Sequence, residues 1–298
     1  MTGGYILEQI ANGIILGSMY ALIAIGFSLI YGIVRLINFA HGDIVTIGAF
    51  AMLASVAAID APFPVAIAVV LVVGAGIGML IERIAFRPMR GAPQVTGFIA
   101  SLAVAIVIEN LGIMTLTAQP RNFIVPAYLG EFVHLGSLQI RAIDLAIVVL
   151  AILLMTALAL FVRFTKVGMA MRATAENYNV ARLMGINIDR MIMLAFAIGS
   201  ALAAAAGLMW GSKYSQISPL MGLIPGLKAF VAAVIGGVGS ISGAMLGGYV
   251  LGLAEVLFVG LLPPEYSGYR NVFVFATLIV ILLVMPNGLL GRSTEERA

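Results

Sequence analysis

The stretch "INFAHGD" (37–43) places Asn38, His41 and Asp43 within six residues, between two apolar runs. An imidazole and a carboxylate this close suggest a general base with its orienting acid, half of a metal site, or part of a polar path. Catalysis would also need a nucleophile and an oxyanion hole, and the chain shows no pattern for either. A metal would need three or four ligands. The only other histidine, His134, is far along the chain, and there is no cysteine. That absence also removes disulfides, thiol catalysis and thiolate metal sites. Two further carboxylates, Glu109 (beside Asn110) and Glu255, stand deep inside apolar runs. An ionised side chain at a bilayer centre costs at least about 2.5–3.5 kcal/mol on insertion scales, so such residues are usually functional or paired. Both are expected to face a bundle interior, lining a path, holding a gate, or pairing with Arg35 or an amide. Phosphate chemistry is not supported: a P-loop carries Gly-Lys, and no Gly-Lys pair occurs here. The Gly-rich "IGGVGSISG" (235–243) has no lysine. No metal, cofactor or catalytic residue is expected on this chain.

The elements that must position these residues follow from composition. Of 298 residues, 62% are hydrophobic and 10% charged, with a mean hydropathy of +1.13 and a net charge of +3. Soluble domains carry about 25% charged residues, so polar surface is too scarce for a water-soluble globule. The expected fold is an all-α polytopic membrane protein with about eight to nine transmembrane segments. Spans of about 20 apolar residues fit 6–33, 44–59, 64–81, 97–117, 143–162, 191–211, 243–262 and 271–290. A shorter run, 226–240, joins the next as a broken, Gly-rich hairpin near 226–262. The opening "MTGGYILEQIANGIILGS" lacks a basic start and carries Glu8, so it reads as the first span rather than a secretory signal.

Basic residues orient the loops. Arg83, Arg87 and Arg90, then Arg163, Lys166, Arg172, Arg182 and Arg190, then Arg292 and Arg297 mark three cytoplasmic segments. The opposite loops, 60–64, 118–142, 212–225 and 263–270, hold only Arg121, Arg141, Lys213 and Arg270. The N-terminus is then outside, the C-terminus cytoplasmic, and "INFAHGD" a cytoplasmic-side turn whose side chains cap helix ends. The external loop 118–142, interrupted by Pro120 and Pro126, forms a small cap. No linker is visible, so 1–298 reads as a single transmembrane domain. Segments 13–53 and 227–255 share a rhythm of apolar helix, polar break and Gly-rich helix, a weak sign of repeated halves. Small-residue spacings permit close helix packing. Such spacings are frequent (Gly13/Gly17, Gly74/Gly78, Gly207/Gly211) and with 34 glycines many arise by chance, so only the row Gly239, Gly243, Gly247 is singled out as a packing seam on one helix face.

One charged stretch breaks the apolar pattern: "RATAENYNVARLMGIN" (172–187). Arg172 and Glu176 are spaced for an i,i+4 pair. Asn177 and Asn179 can cap a second short helix, and Gly185 can close it in a left-handed conformation. Val180, Ala181, Leu183 and Met184 give that helix an apolar aspect that something must cover: the protein's own loops, the bilayer surface, or another protein.

"GMAMRATAENYNVARLMGINIDR" (168–190) resembles the cytoplasmic loop of permease subunits of ABC importers, in particular those of the branched-chain amino acid (LIV-type) family. The Ala181-x-x-x-Gly185 spacing matches that loop. "NGIILGSMYALIAIGFSLIYGI" (12–33) with "INFAHGD", "IERIAFRPMRG" (81–91) and "GLKAFVAAVIGGVGSISGAMLGGYVLGLAE" (226–255) resemble further family motifs in the same order. One departure is Ser242, where the family form "GSIPG" has proline. The resemblance implies that the loop about 163–190, through Arg172, Ala173, Glu176, Asn177, Ala181, Arg182 and Gly185, couples this chain to a separate ATPase. It implies that Asn38, His41, Asp43, Glu109 and Glu255 are candidates for the pathway or its gate. The implied partners are two ABC ATPase subunits, a homologous permease or a second copy, a periplasmic or extracellular substrate-binding protein and the bilayer, with no nucleic acid. The implied location is the bacterial inner membrane, and the implied mechanism is alternating access. Two alternatives stay open: an ion-gradient-driven amino-acid transporter, with Glu109 and Glu255 as ion carriers, and a permease of the same family for urea or short amides.

Overall fold

The computed structural model describes residues 3–59, 61–123, 125–135 and 138–291. Asp60 and the tail residues Arg292 and Arg297 lie outside the described residues. The chain forms α1 (Gly3–Val34), α2 (His41–Ile59), α3 (Phe63–Ile81, continued by a π-helical turn Glu82–Phe86) and α4 (Gln94–Leu116). After α4 come β1 (Arg121–Asn122), α5 (Ala127–Gly130), β2 (Phe132–Leu135) and β3 (Leu138–Arg141). Then come α6 (Ala142–Phe164), α7 (Lys166–Glu176), α8 (Tyr178–Leu183) and α9 (Ile188–Tyr214). β4 (Gln216–Ile217), α10 (Leu223–Gly236), α11 (Ile241–Leu261) and α12 (Arg270–Val284) complete the chain. Among the described residues, eight helices are long and apolar enough to cross a membrane, and α10 is a shorter apolar ninth. This is an all-α polytopic membrane protein, with two small antiparallel ribbons in its loops, β1 with β4 and β2 with β3.

Helix ends follow local chemistry. α3 and α4 start directly after Pro62 and Pro93, where a missing N–H costs nothing. α1 stops where Arg35 turns left-handed at φ 56°. α1 is the centre of the core, with α9 against one side and α11 against another, and α2 and α3 pack on α9. The outer helices expose Val72, Met114, Leu153 and Leu283, apolar surfaces suited to lipid tails.

The helices approach through glycines, and more of them matter than the spacing alone indicated. In the α10–α11 hairpin, a Cβ on Gly243 would strike the Gly236 backbone, and one on Gly247 the Ala232 carbonyl. Gly248 and Gly252 lie against Ala21 and Gly17 of α1. The seam does not include Gly239. That residue precedes the N-cap of α11, has φ +88° and faces Gly32. Gly17, Gly74, Gly78 and Gly207 also meet backbone or Ala and Ser atoms of neighbouring helices, so those spacings are contacts rather than chance. Despite Ser242 in place of proline, the break is sharp, because the Ser240 hydroxyl caps α11 by accepting the Gly243 N–H at 3.1 Å.

Directions can be read from these contacts. Tyr20 meets Trp210 and Gly26 meets Gly199, so α1 and α9 are antiparallel. Gly74 meets Ala204 and Gly78 meets Phe196 and Ser200, so α3 also opposes α9. Gly13 and Gly17 meet Leu253 and Tyr249, so α11 opposes α1. The end of α10 lies beside the segment after α12, with Leu289 N–H on the Ile235 carbonyl at 2.8 Å. The order α1, break, α2, α3, α4 therefore recurs, with directions reversed, as α9, break, α10, α11, α12. The halves that correspond are residues 3–116 and 188–284, not the pairing of 13–53 with 227–255.

Candidate functional site

The two breaks meet inside the bundle. His41 opens α2, and its Nε2 lies 3.3 Å from the Ile23 carbonyl. Ile23 is eleven residues before the end of α1 at Val34, a rise of about 16 Å at 1.5 Å per residue. Residues 35–40 thus run back into the membrane, and α2 begins near its middle. This overturns the expectation of a cytoplasmic-side capping turn: the side chains of Asn38 and His41 cap no helix. α10 begins at the same level, where its N-terminal Gly222 and Gly226 press on Gly42 and the Gly222 N–H reaches Thr46 Oγ1 at 2.9 Å. At 14 residues, α10 is about 21 Å long, short of the roughly 30 Å hydrocarbon core. Gly42 and Gly226 are the positions where two helix starts touch backbone to backbone, and any side chain there would hold them apart.

A cavity of about 180 Å³ lies at this junction, lined by residues of α1, the first break, α2, α4 and α10. Asn38 and Asp43 line it, and both are 2% exposed. Neither Asn38 amide atom has a hydrogen-bond partner among the described residues, nor does His41 Nδ1. Leaving a buried donor or acceptor unpaired costs about 1–3 kcal/mol. His41 packs edge-on to Phe27, with centroids 6.0 Å apart. Asp43 has no basic partner at salt-bridge distance among the described residues. Glu109 is half-buried rather than interior, and Arg35 does not pair with it.

Glu255 belongs to a different cluster. It is 2% exposed, accepts from Lys228 Nζ at 2.7 Å and Tyr20 OH at 2.9 Å, and lies 3.1 Å from Arg270 Nε. Its partner is therefore neither Arg35 nor an amide. Lys228 was not singled out from sequence, although a lone lysine inside "GLKAFVAAV" (226–234) carries the same insertion penalty that marked the glutamates. At the C-terminal end of α9, Asp144 holds Lys213 at 2.8 Å and Arg141 at 3.2 Å. Every member of these two clusters is paired, as in a structural clamp, and Lys213, Glu255 and Arg270 also line a second cavity of about 200 Å³.

The loop 165–187 folds as two short helices. The Thr165 hydroxyl caps α7, and Asn177 Oδ1 caps α8 by accepting the Asn179 and Val180 N–H groups at 2.9 and 3.1 Å. Asn179 donates but does not cap. Gly185 follows α8 at φ +78°, and Asn187 caps α9. The Arg172–Glu176 pair does not form; Arg172 instead donates to the Arg163 carbonyl at 3.3 Å. Arg172, Ala173, Glu176, Asn177, Arg182 and Gly185 are exposed, whereas Ala181 is buried against the protein. Tyr178 OH donates to the Ile33 carbonyl, fixing α8 to the C-terminal end of α1. Burial raises the Tyr178 phenol above its usual range, opposed by the charges of Arg90 and Arg35. Arg87 and Arg90 reach Asp189 at the start of α9, which joins the two basic loops at one end of the molecule. Leu183 is 87% exposed and Met184 77% exposed.

The family model for "Branched-chain amino acid transport system / permease component" matches residues 9–282. The chain is 41% identical to the high-affinity branched-chain amino acid transport system permease protein LivH of Escherichia coli (strain K12), over 98% of each chain. It is 38% identical to the corresponding permease protein BraD of Pseudomonas aeruginosa, over 98% of this chain and 97% of that one. It is 29% identical to the probable branched-chain amino acid transport permease protein LivH of Methanocaldococcus jannaschii, over 94% of this chain and 91% of that one. No solved structure matches.

Proposed function

Because this chain belongs to the permease-component family of branched-chain amino acid transport systems, we propose that it is one permease subunit of an ABC importer for branched-chain or related small amino acids. It forms the path with a homologous permease or a second copy of itself. Two separate ATPase subunits bind on the cytoplasmic side, a substrate-binding protein docks outside, and ATP hydrolysis takes place in those ATPases. The chain functions as a single membrane domain in the bacterial inner membrane, with its C-terminus in the cytoplasm, and it binds no cofactor of its own.

The observation that carries this reading is the bare apolar tip of α8. Leu183 and Met184 stand out from the protein beyond a capped and anchored helix. Helix caps and the Tyr178 anchor hold the tip rigid, so a push on it reaches α1 and α9. ATP binding that favours one ATPase arrangement then shifts the bundle between states, provided the two arrangements hold α8 with different free energy.

The test is co-purification of the chain with its ATPase and ATP-driven uptake of L-leucine in liposomes. Leu183→Glu is the informative variant, because the exposed side chain contributes nothing to the fold. The variant is expected to fold normally and to lose both ATPase binding and uptake. Uptake driven by an ion gradient without any ATPase would refute the importer reading.

A further inference from the structure

Asn38 is anomalous for a residue that only supports the fold. Its amide is buried and unpartnered among the described residues, and it lines the cavity where the two breaks meet. Native proteins keep few such groups without a reason. The cavity offers three kinds of surface. Asp43 is a buried carboxylate without a basic partner at salt-bridge distance among the described residues. Beside it lies the start of α10, which meets Gly42, has its N-cap Gly222 N–H on Thr46 Oγ1 and carries no acidic residue in its first turn. That end carries the positive pole of the helix dipole. The other walls are apolar, from Phe27, Phe39, Leu102 and Phe230.

These three surfaces call for a ligand with a cationic donor, an anionic acceptor and an apolar body. An α-amino acid zwitterion with a hydrocarbon side chain has all three. A neutral amide leaves Asp43 unmatched, and an inorganic cation leaves the apolar walls and the start of α10 without a role. Half-helix N-termini facing anionic groups at the membrane midplane are a general device of transporters.

We propose that this cavity is a substrate station inside the membrane, with Asp43 and Asn38 Oδ1 accepting from the ammonium, Asn38 Nδ2 and the start of α10 holding the carboxylate, and Phe27, Leu102 and Phe230 enclosing the side chain. The proposal rests on the importer reading above and deepens it. It makes Asn38 and Asp43 recognition residues and assigns Leu102 to side-chain selection.

The test uses the complete transporter in proteoliposomes, with ATP on the ATPase side and saturating binding protein loaded with L-leucine or L-alanine. The measured quantity is amino acid moved per ATP hydrolysed, for Asn38→Leu, Asp43→Asn and Leu102→Trp. A hydrogen bond to a charged group contributes enough that leucine moved per ATP should fall by about 10- to 100-fold in the first two variants. Leu102→Trp should reduce leucine transport more than alanine transport. Asn38→Leu removes an unpartnered buried amide, so its melting temperature in detergent should be unchanged or higher. A lowered melting temperature with lost uptake would instead assign Asn38 to the fold and overturn the proposal. Wild-type leucine per ATP in all three variants would also overturn it. A wild-type complex that hydrolyses ATP but moves no branched-chain amino acid overturns the importer reading itself, and this inference with it.

Discussion

Lys228 and Glu255 are each 2% exposed and lie 2.7 Å apart, and Tyr20 also donates to the carboxylate. Burying such a pair is expensive for each ion, so its net contribution is small, but removing one partner strands the other. A stranded buried charge costs about 3–5 kcal/mol. Glu255→Leu is therefore expected to destabilise the purified chain strongly. Lys228→Met should cost less, because Arg270 stays 3.1 Å from the carboxylate. The double variant should recover most of the loss, as measured by thermal unfolding in detergent. If the two single effects simply add in the double variant, the pair is not a coupled clamp. Glu255 was legible in the sequence as an acid inside an apolar run, and the same reasoning applied to Lys228 would have named its partner. Asn38, His41 and Asp43 were legible as a polar cluster at a break. Their depth was not, because an extended segment leaves no periodic signal of whether it leaves the membrane or turns back into it.

The nine apolar helices among the described residues and the capped loop helices are local features and could be read from composition and capping residues. Of the glycine seams, Gly243 and Gly247 could be picked out, but the other contacts could not, since a small-residue spacing describes one face and says nothing of the helix opposite. The α10–α11 hairpin shows what the partner adds. Gly247 lies on the Ala232 carbonyl, and the adjacent Gly248 lies on Ala21 of α1. α11 is thus clamped between α10 and α1 by neighbouring residues, with no room on either side. Gly247→Val puts a branched side chain where backbone meets backbone. Overpacking of this kind typically costs about 1–3 kcal/mol, and here the contact is backbone, which cannot yield as a side chain does. The variant is expected to lower the melting temperature and the yield of folded protein. Gly76→Val, on the same kind of helix but with open space around the position, is the control and should behave as wild type. Equal behaviour of the two variants would mean that the seam does not hold the hairpin.

At the scale of the whole molecule, the reversed halves give the two breaks a common logic. One extended segment enters from the side of the basic loops and the other from the side of the β-ribbons, and each delivers a helix start to the same level. The β1–β4 pairing ties residues 121–122 to 216–217, while Arg87 and Arg90 tie the opposite loops to Asp189. The two ends are therefore assigned by contacts as well as by charge, and only the choice of which end faces the cytoplasm depends on the basic-residue bias. The absence of cysteine makes that choice easy to test. Single cysteines at Tyr128 on the β-ribbon side and Leu183 on α8 sit at exposed positions. In intact cells a membrane-impermeant maleimide is expected to label Tyr128→Cys and not Leu183→Cys. Permeabilisation should make the second site reactive, and bound ATPase should protect it again. Labelling of both sites from one side would collapse the alternation of spans, and labelling with the sides exchanged would place α8 outside the cell, where no ATPase could reach it.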